Sequence, residues 1–353
     1  MSLIKNSSIV IIGVLVSNIL AYAFHFVAGR WMGPESYGEF GALMAIFMWI
    51  ALPAASLGIA ITKFTSIYFA EKNYQHIGDL RRKVQNDVLL FSFATVMILM
   101  FFSKNISAFL HIKSSMSVII VGLTLVGALI LPINRGVLQG MKKYKLFSWN
   151  GIVEALIRVL FLLILLYYDL GVNGAIFAYG FGFFLAFLLI FPSIKEAKIT
   201  ADPRQPIDFK PIYSFIFKVL LVNFLLQSLI NGPTIWIKHY YTSEFTGYWT
   251  AALNIARISF FVSGAISVVM FPEIAGEKIK LAKKKIYYKA TYLVLITTVS
   301  ISILFFVIPE LFIVTLYGKA YLGAVPILQW MGVAMIFIGI LQLWCNYMLA
   351  KMQ

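Results

Sequence analysis

Gly33-Pro34-Glu35-Ser36-Tyr37-Gly38-Glu39-Phe40-Gly41-Ala42 decides how this chain is read, because its pattern returns as Ser243-Glu244-Phe245-Thr246-Gly247-Tyr248-Trp249-Thr250-Ala251, 209 residues later. Each copy is a short polar loop followed by Gly, any residue, an aromatic, a small residue and Ala, and each runs straight into a long apolar segment. Gly38 answers Gly247, Phe40 answers Trp249, and the apolar run before each loop ends in a cation or imidazole, Arg30 or His239. An internal repeat fixes architecture before any local assignment. The chain reads as two copies of one unit.

Working outward, composition leaves little room for a soluble fold. The 353 residues are 61% hydrophobic and 12% charged, and the apolar runs reach the roughly 20 residues a helix needs to cross a bilayer. Ten membrane helices are predicted, at about 7–29, 39–62, 85–103, 116–139, 147–168, 171–191, 213–237, 247–271, 287–308 and 324–350. The runs lack the alternation of barrel strands, and a helix satisfies every backbone group within itself. The expected fold is therefore an all-α polytopic membrane protein. Its two lobes are parallel repeats, because an even number of crossings separates equivalent segments. Residues 1–191 form a six-helix lobe, 192–212, with four prolines, a cytoplasmic linker, and 213–353 a four-helix lobe. At the repeat offset the second lobe lacks counterparts of segments five and six, so it is expected to be truncated.

The net charge of +15 is a topology signal. Lys63, Lys72, Arg81, Arg82 and Lys83 follow segment two, Lys142, Lys143 and Lys145 follow segment four, and Lys283-Lys284-Lys285 follow segment eight. The opposite loops hold few cations. This bias places both termini and the even-numbered loops in the cytoplasm of a multi-pass cell-membrane protein, and it argues against nucleic-acid binding. Lys5 and Ala21-Tyr22-Ala23 have the outline of a cleavable signal, but the apolar run continues past them and has a counterpart in segment seven, favouring a retained helix. Cys345 is the single cysteine, so no internal disulfide forms.

Charges within the hydrocarbon are the informative ones, since each costs at least ~2.5 kcal/mol at a helix centre unless it faces protein, water or a partner. The set is Arg135, Glu154, Arg158, Lys218 and Arg257, with Arg30 near the outer interface. Glu154 and Arg158 stand four apart on one helical face, where mutual neutralisation is the plainer reading. Arg135 and Lys218 lie near segment ends and can snorkel to the interface. Arg257 is well inside segment eight, with Asn254 one turn earlier; together with Asn18 and Gln227 it suggests a polar path. Converging arginines would suit an anionic headgroup, because the guanidinium fork grips phosphate bidentately. Pro53, Pro132 and Pro233 are candidate kinks. No catalytic arrangement, metal-ligand spacing or phosphate loop is present; His25, His76, His111 and His239 are scattered. No cofactor and no enzymatic activity are expected.

Gly29-Arg30 with Gly33 to Phe40, Leu138-Gln139-Gly140 before a basic loop, Gly247-Tyr248-Trp249-Thr250-Ala251-Ala252 with Arg257, Phe271-Pro272-Glu273, and Leu316-Tyr317-Gly318-Lys319-Ala320-Tyr321 together resemble the polysaccharide biosynthesis family. These are the O-antigen and oligosaccharide-lipid flippases of the multidrug/oligosaccharidyl-lipid/polysaccharide exporter superfamily. The resemblance spans the chain, through loose motifs that mark structure more than substrate. It implies two six-helix lobes around a central cavity, from which ten helices depart. It also implies a polyprenyl-pyrophosphate-linked oligosaccharide as cargo, moved to the outer leaflet, with Arg30 and Arg257 at positions where members often carry Arg. Membrane lipids and the lipid-linked oligosaccharide are the expected partners, with a polysaccharide polymerase or glycosyltransferases as candidate proteins. The rival readings are a cation-coupled multidrug antiporter of the same superfamily, which would want more intramembrane carboxylate than Glu154, and a nonfunctional remnant.

Overall fold

The computed structural model describes residues 2–195, 207–276 and 279–351. Apolar segments in lipid must pair their backbone groups internally, and among the described residues every regular element is helical. The order is α1 (Ser2–Ile50), α2 (Leu52–Ala70), α3 (Tyr74–Phe101), α4 (Ser103–Phe109), α5 (Ser115–Gly140), α6 (Tyr144–Tyr167) and α7 (Gly171–Lys195). After the linker come α8 (Lys210–Tyr240), α9 (Ser243–Gly276), α10 (Lys280–Val307), α11 (Pro309–Leu316), a 3₁₀ turn (Lys319–Ala324) and α12 (Val325–Lys351). Nine helical spans among the described residues are long and apolar enough to cross a membrane; segment eight lies on α9. The core of the predicted linker, 196–206, falls outside the described residues.

The opening motif is built differently from a loop. The break between the first two membrane segments is a single residue, Gly33, at φ 73° and ψ 172°, and helix resumes at Pro34. Only glycine adopts that backbone without strain, and proline is preorganised for a first helical turn. The expected short polar loop before Gly38 is instead helical, as is Gly38 itself. The second segment breaks again at Ala51, where Pro53 sits in the first turn of α2, whereas Pro132 and Pro233 lie inside continuous helices.

The chain packs as two compact units, one of Met1–Met32 with Glu39–Tyr240, the other of Gly33–Gly38 with Tyr241–Gln353. In the first, α5 is central, packed on α2, α3 and α7, while α6 pairs with α7. Leu57, Ile61, Leu80, Leu129, Ile133 and Val137 fill the main core. Lipid chains are as apolar as leucine, so close van der Waals approach holds such helices together. A Cβ on Gly136 would lie 3.0 Å from the carbonyl oxygen of Gly58, so the glycine permits the α2–α5 crossing.

By sequence α8 opens the second copy; by packing it belongs to the first unit. Near one end Tyr213 Oη donates to Asp87, itself paired with Lys83 at 2.9 Å, and Lys63 sits 4.3 Å from the Phe215 ring centroid. Near the other, buried Lys238 donates to the His111 carbonyl at 3.1 Å. His239 Nδ1 lies 2.6 Å from the Phe109 carbonyl, its ring stacked on Phe109. The Phe109 carbonyl is the last of α4 and that of His111 lies just past its cap, so imidazole and ammonium donors gather at the negative end of that helix.

In the second unit α9 packs on α12 and α10, around Met270, Ile274, Ala290, Val294, Leu343 and Tyr347. The repeated motif crosses itself here. A Cβ on Gly38 would collide with the Ser243 carbonyl oxygen and stand 2.7 Å from Gly247 N; one on Gly247 would collide with the Pro34 carbonyl oxygen. Pro34 and Ser243 are repeat equivalents, so the contact is self-complementary.

Candidate functional site

Each unit holds a polar centre of its own. In the first, Asn150, Glu154 and Arg158 follow at four-residue spacing on α6, which stacks them along one face. The Arg135 guanidinium of α5 meets that face. Its Nη2 lies 2.6 Å from Glu154 Oε2 and donates to the Asn150 carbonyl at 3.1 Å, while Nε donates to Asn150 Oδ1 at 2.8 Å. Arg158 Nη2 pairs with the other oxygen, Glu154 Oε1. One carboxylate thus serves two guanidinium groups and leaves one positive charge uncompensated. Asn150 is fixed by donating to the Ala186 carbonyl at 2.8 Å.

The two arginines differ in access. Arg158 is clamped between aromatic faces, its guanidinium carbon 3.9 Å from the Tyr179 ring centroid and 4.0 Å from that of Phe183. Desolvated cation–π contacts are worth ~2 kcal/mol or more. Gly182 makes the room, since a Cβ there would stand 3.1 Å from Arg158 Nε. The Arg158 side chain is 9% exposed and Glu154 7%, against 21% for Arg135. Arg135 is the reachable member.

A third guanidinium in this unit, that of Arg81, is held by the residue next to Arg135 in the chain. Arg81, expected in a solvated basic run, turns inward, donates from Nε to Asn134 Oδ1 at 2.9 Å and covers the Phe191 ring. Its two neighbours, Arg82 and Lys83, are exposed as expected.

In the second unit Arg257 Nη1 donates to Asn254 Oδ1 at 3.2 Å, Asn254 Nδ2 donates to Tyr37 Oη at 2.9 Å, and Tyr37 and Tyr317 share a hydroxyl contact of 3.1 Å. Tyr321 packs edge-on to Tyr37. Tyr37, Asn254, Tyr317 and Tyr321 are all buried, while Arg257 is half-buried.

Of the remaining sequence candidates, Gln227 accepts from buried Asn231 at 2.6 Å on α8. Asn18, its equivalent at the repeat offset, is half-buried on α1; Arg30 and Lys218 are exposed. Glu154 with Arg158 is the expected pair, but Arg135, assigned to the interface, joins it. Asn150 was missed, although its four-residue spacing from Glu154 could have found it; Tyr317 stood in a quoted motif without a role, and Tyr179, Phe183 and Lys238 gave no signal. Glu39 is a second buried carboxylate, at 5% exposure. The side chains of Phe271, Pro272 and Glu273 lie outside the described set. Among the described residues no three His, Cys, Asp or Glu side chains are grouped to hold a metal.

The chain as a whole is similar to known membrane proteins. An uncharacterized membrane protein of Methanocaldococcus jannaschii is 27% identical over 299 residues, covering 79% of this chain and 69% of that protein. A multidrug resistance MATE family transporter of the MOP superfamily, in an inward-facing conformation, superposes with TM-score 0.73 at 15% identity, covering 97% of this chain and 87% of its own. The lipid II flippase MurJ, inward closed, gives TM-score 0.73 at 17% identity, with coverage of 97% and 75%. At such identities the likeness establishes the fold alone, that of a multi-pass helical membrane protein. The model for polysaccharide biosynthesis proteins matches residues 3–276, and on that match the chain belongs to the polysaccharide biosynthesis protein family.

Proposed function

We propose that the chain is a flippase that carries a polyprenyl-pyrophosphate-linked oligosaccharide from the cytoplasmic to the outer leaflet of a cell membrane by alternating access. Both termini and the even-numbered loops face the cytoplasm. One observation carries this reading: the buried ion cluster is cationic, because Arg135 and Arg158 outnumber the carboxylate they share. A phosphoryl group is the natural partner of a partly exposed guanidinium, whose fork matches two phosphate oxygens. Arg257, Arg30, Lys218, Asn254, Gln227 and Asn18 add cations and amides that would accompany the headgroup and sugars. Membership of a polysaccharide biosynthesis family and likeness to a lipid II flippase point the same way.

A cation-coupled drug antiporter is the second reading, favoured by the equal likeness to a multidrug transporter and by buried Glu39. Proteoliposomes separate the two. A fluorescent polyprenyl-pyrophosphate sugar should equilibrate across the bilayer in a protein-dependent way, with slower rates for Arg135→Ala, Arg257→Ala and Arg30→Ala. Unchanged rates in all three variants, or uptake of a cationic dye alone, would overturn the flippase.

A further inference from the structure

We infer that Glu154 is a displaceable counter-ion, which occupies the Arg135 guanidinium when the protein is empty and yields it to the diphosphate of the cargo. The inference rests on the flippase reading and deepens it at one site. Arg135 Nη1 has no acceptor among the described residues, whereas Nη2 is taken by Glu154 and the Asn150 carbonyl. A bidentate grip on phosphate uses both terminal nitrogens, so the incoming oxygen competes with Glu154 for Nη2. The carboxylate has somewhere to go. Arg158 already holds its other oxygen and is locked by Tyr179, Phe183 and the space at Gly182, so it remains a fixed positive partner while Arg135 changes anions. Arg158 is thereby a positioning residue that never touches the cargo, and Glu154 sets how tightly an anion is held. A diphosphate that bound without competition would be hard to release at the far leaflet.

The charge count gives an ordered test. Glu154→Gln leaves two uncompensated guanidinium groups, Arg158→Gln leaves none, and the double variant leaves one, as in the wild type. Each protein, reconstituted in phosphatidylcholine nanodiscs, is titrated calorimetrically with inorganic pyrophosphate and, separately, with polyprenyl pyrophosphate doped into the disc. Glu154→Gln should bind at least about tenfold more tightly than wild type and Arg158→Gln at least about tenfold more weakly, with the double variant within about threefold of wild type. A purely structural role for the pair predicts the opposite for Glu154→Gln, and weakening in the double variant at least as large as in Arg158→Gln. Either result overturns the inference. Should Glu154→Gln fail to fold, the return of the double variant to wild-type affinity still decides it. If wild type and Arg135→Gln bind both probes equally, the phosphate reading of the site falls first and takes the inference with it. If wild type outbinds Arg135→Gln but the charge order is absent, or holds for free pyrophosphate alone, only the counter-ion role fails.

Discussion

Replacing Gly38 with Ala tests the self-crossing of the repeated motif. The added methyl carbon would fall on the Ser243 carbonyl oxygen and 2.7 Å from Gly247 N. Non-bonded carbon contacts are comfortable from ~3.5 Å, so the helices must part by ~0.8 Å or more. Overpacking of this kind costs ~1–3 kcal/mol. Against it stands the ~0.5–1 kcal/mol that Gly→Ala gains inside a helix from reduced backbone freedom in the unfolded chain. The clash wins, because the obstacle is backbone on a neighbouring helix and cannot rotate away; the expected net loss is ~1–2 kcal/mol. Gly247→Ala, facing the Pro34 carbonyl, should lose a similar amount. Gly58 supplies the control: its nearest neighbour is Pro132 Cβ at 3.5 Å, ordinary contact, so Gly58→Ala should be neutral or stabilising. Thermal unfolding in detergent, read by tryptophan fluorescence, compares the three. Should Gly38→Ala and Gly247→Ala melt with Gly58→Ala, the close crossing does not exist as described.

Other perturbations probe separate links. Glu154→Ala leaves Arg135 and Arg158 facing each other without a carboxylate and should cost ~3–5 kcal/mol, measured by the same melting assay; a loss under ~1 kcal/mol would mean the cluster is solvated. Tyr37→Phe removes the acceptor of Asn254 and the hydroxyl partner of Tyr317, so a loss of ~1–2 kcal/mol is expected, and an unchanged melt would refute the buried chain. Lys72 and Lys142 close α2 and α5 in the left-handed region, at φ 57° and 59°. Glycine is native to that conformation, so Lys72→Gly and Lys142→Gly should each stabilise by ~0.5–1 kcal/mol, and destabilisation of both would contradict these turns. Single cysteines at 72, 142 and 284, in a Cys345→Ser background, should react with a membrane-impermeant maleimide only after the cytoplasmic face is opened; labelling in intact cells would invert the proposed topology.

The helices were legible because the membrane imposes one rule on all of them. Every apolar run long enough to span must be helical, so all ten predicted segments fall on helices, including those whose glycines and prolines would argue against helix in water. The centre in the first unit was half-legible. Glu154 and Arg158 announce themselves by four-residue spacing, a property of one helix that could also have found Asn150, whereas Arg135 reaches them only through the α5–α6 arrangement. Arg81 shows the same limit. In sequence it belongs to a basic run, and its inward turn depends on finding Asn134 and Phe191 on other elements. The buried hydroxyl chain was less visible still, since Tyr37 and Tyr317 are 280 residues apart.

The sequence alone determined the helical class, the repeat and its offset, and the excess of cations over carboxylates in the apolar segments, because hydrophobic length, self-similarity and charge are properties of a linear string. Tertiary structure decided that Gly38 and Gly247 meet, that α8 packs with the unit before it, and that two arginines divide one glutamate. Those outcomes depend on which helix faces stand within contact distance, and in a bilayer, where apolar burial favours no face over another, small residues and paired charges make that choice.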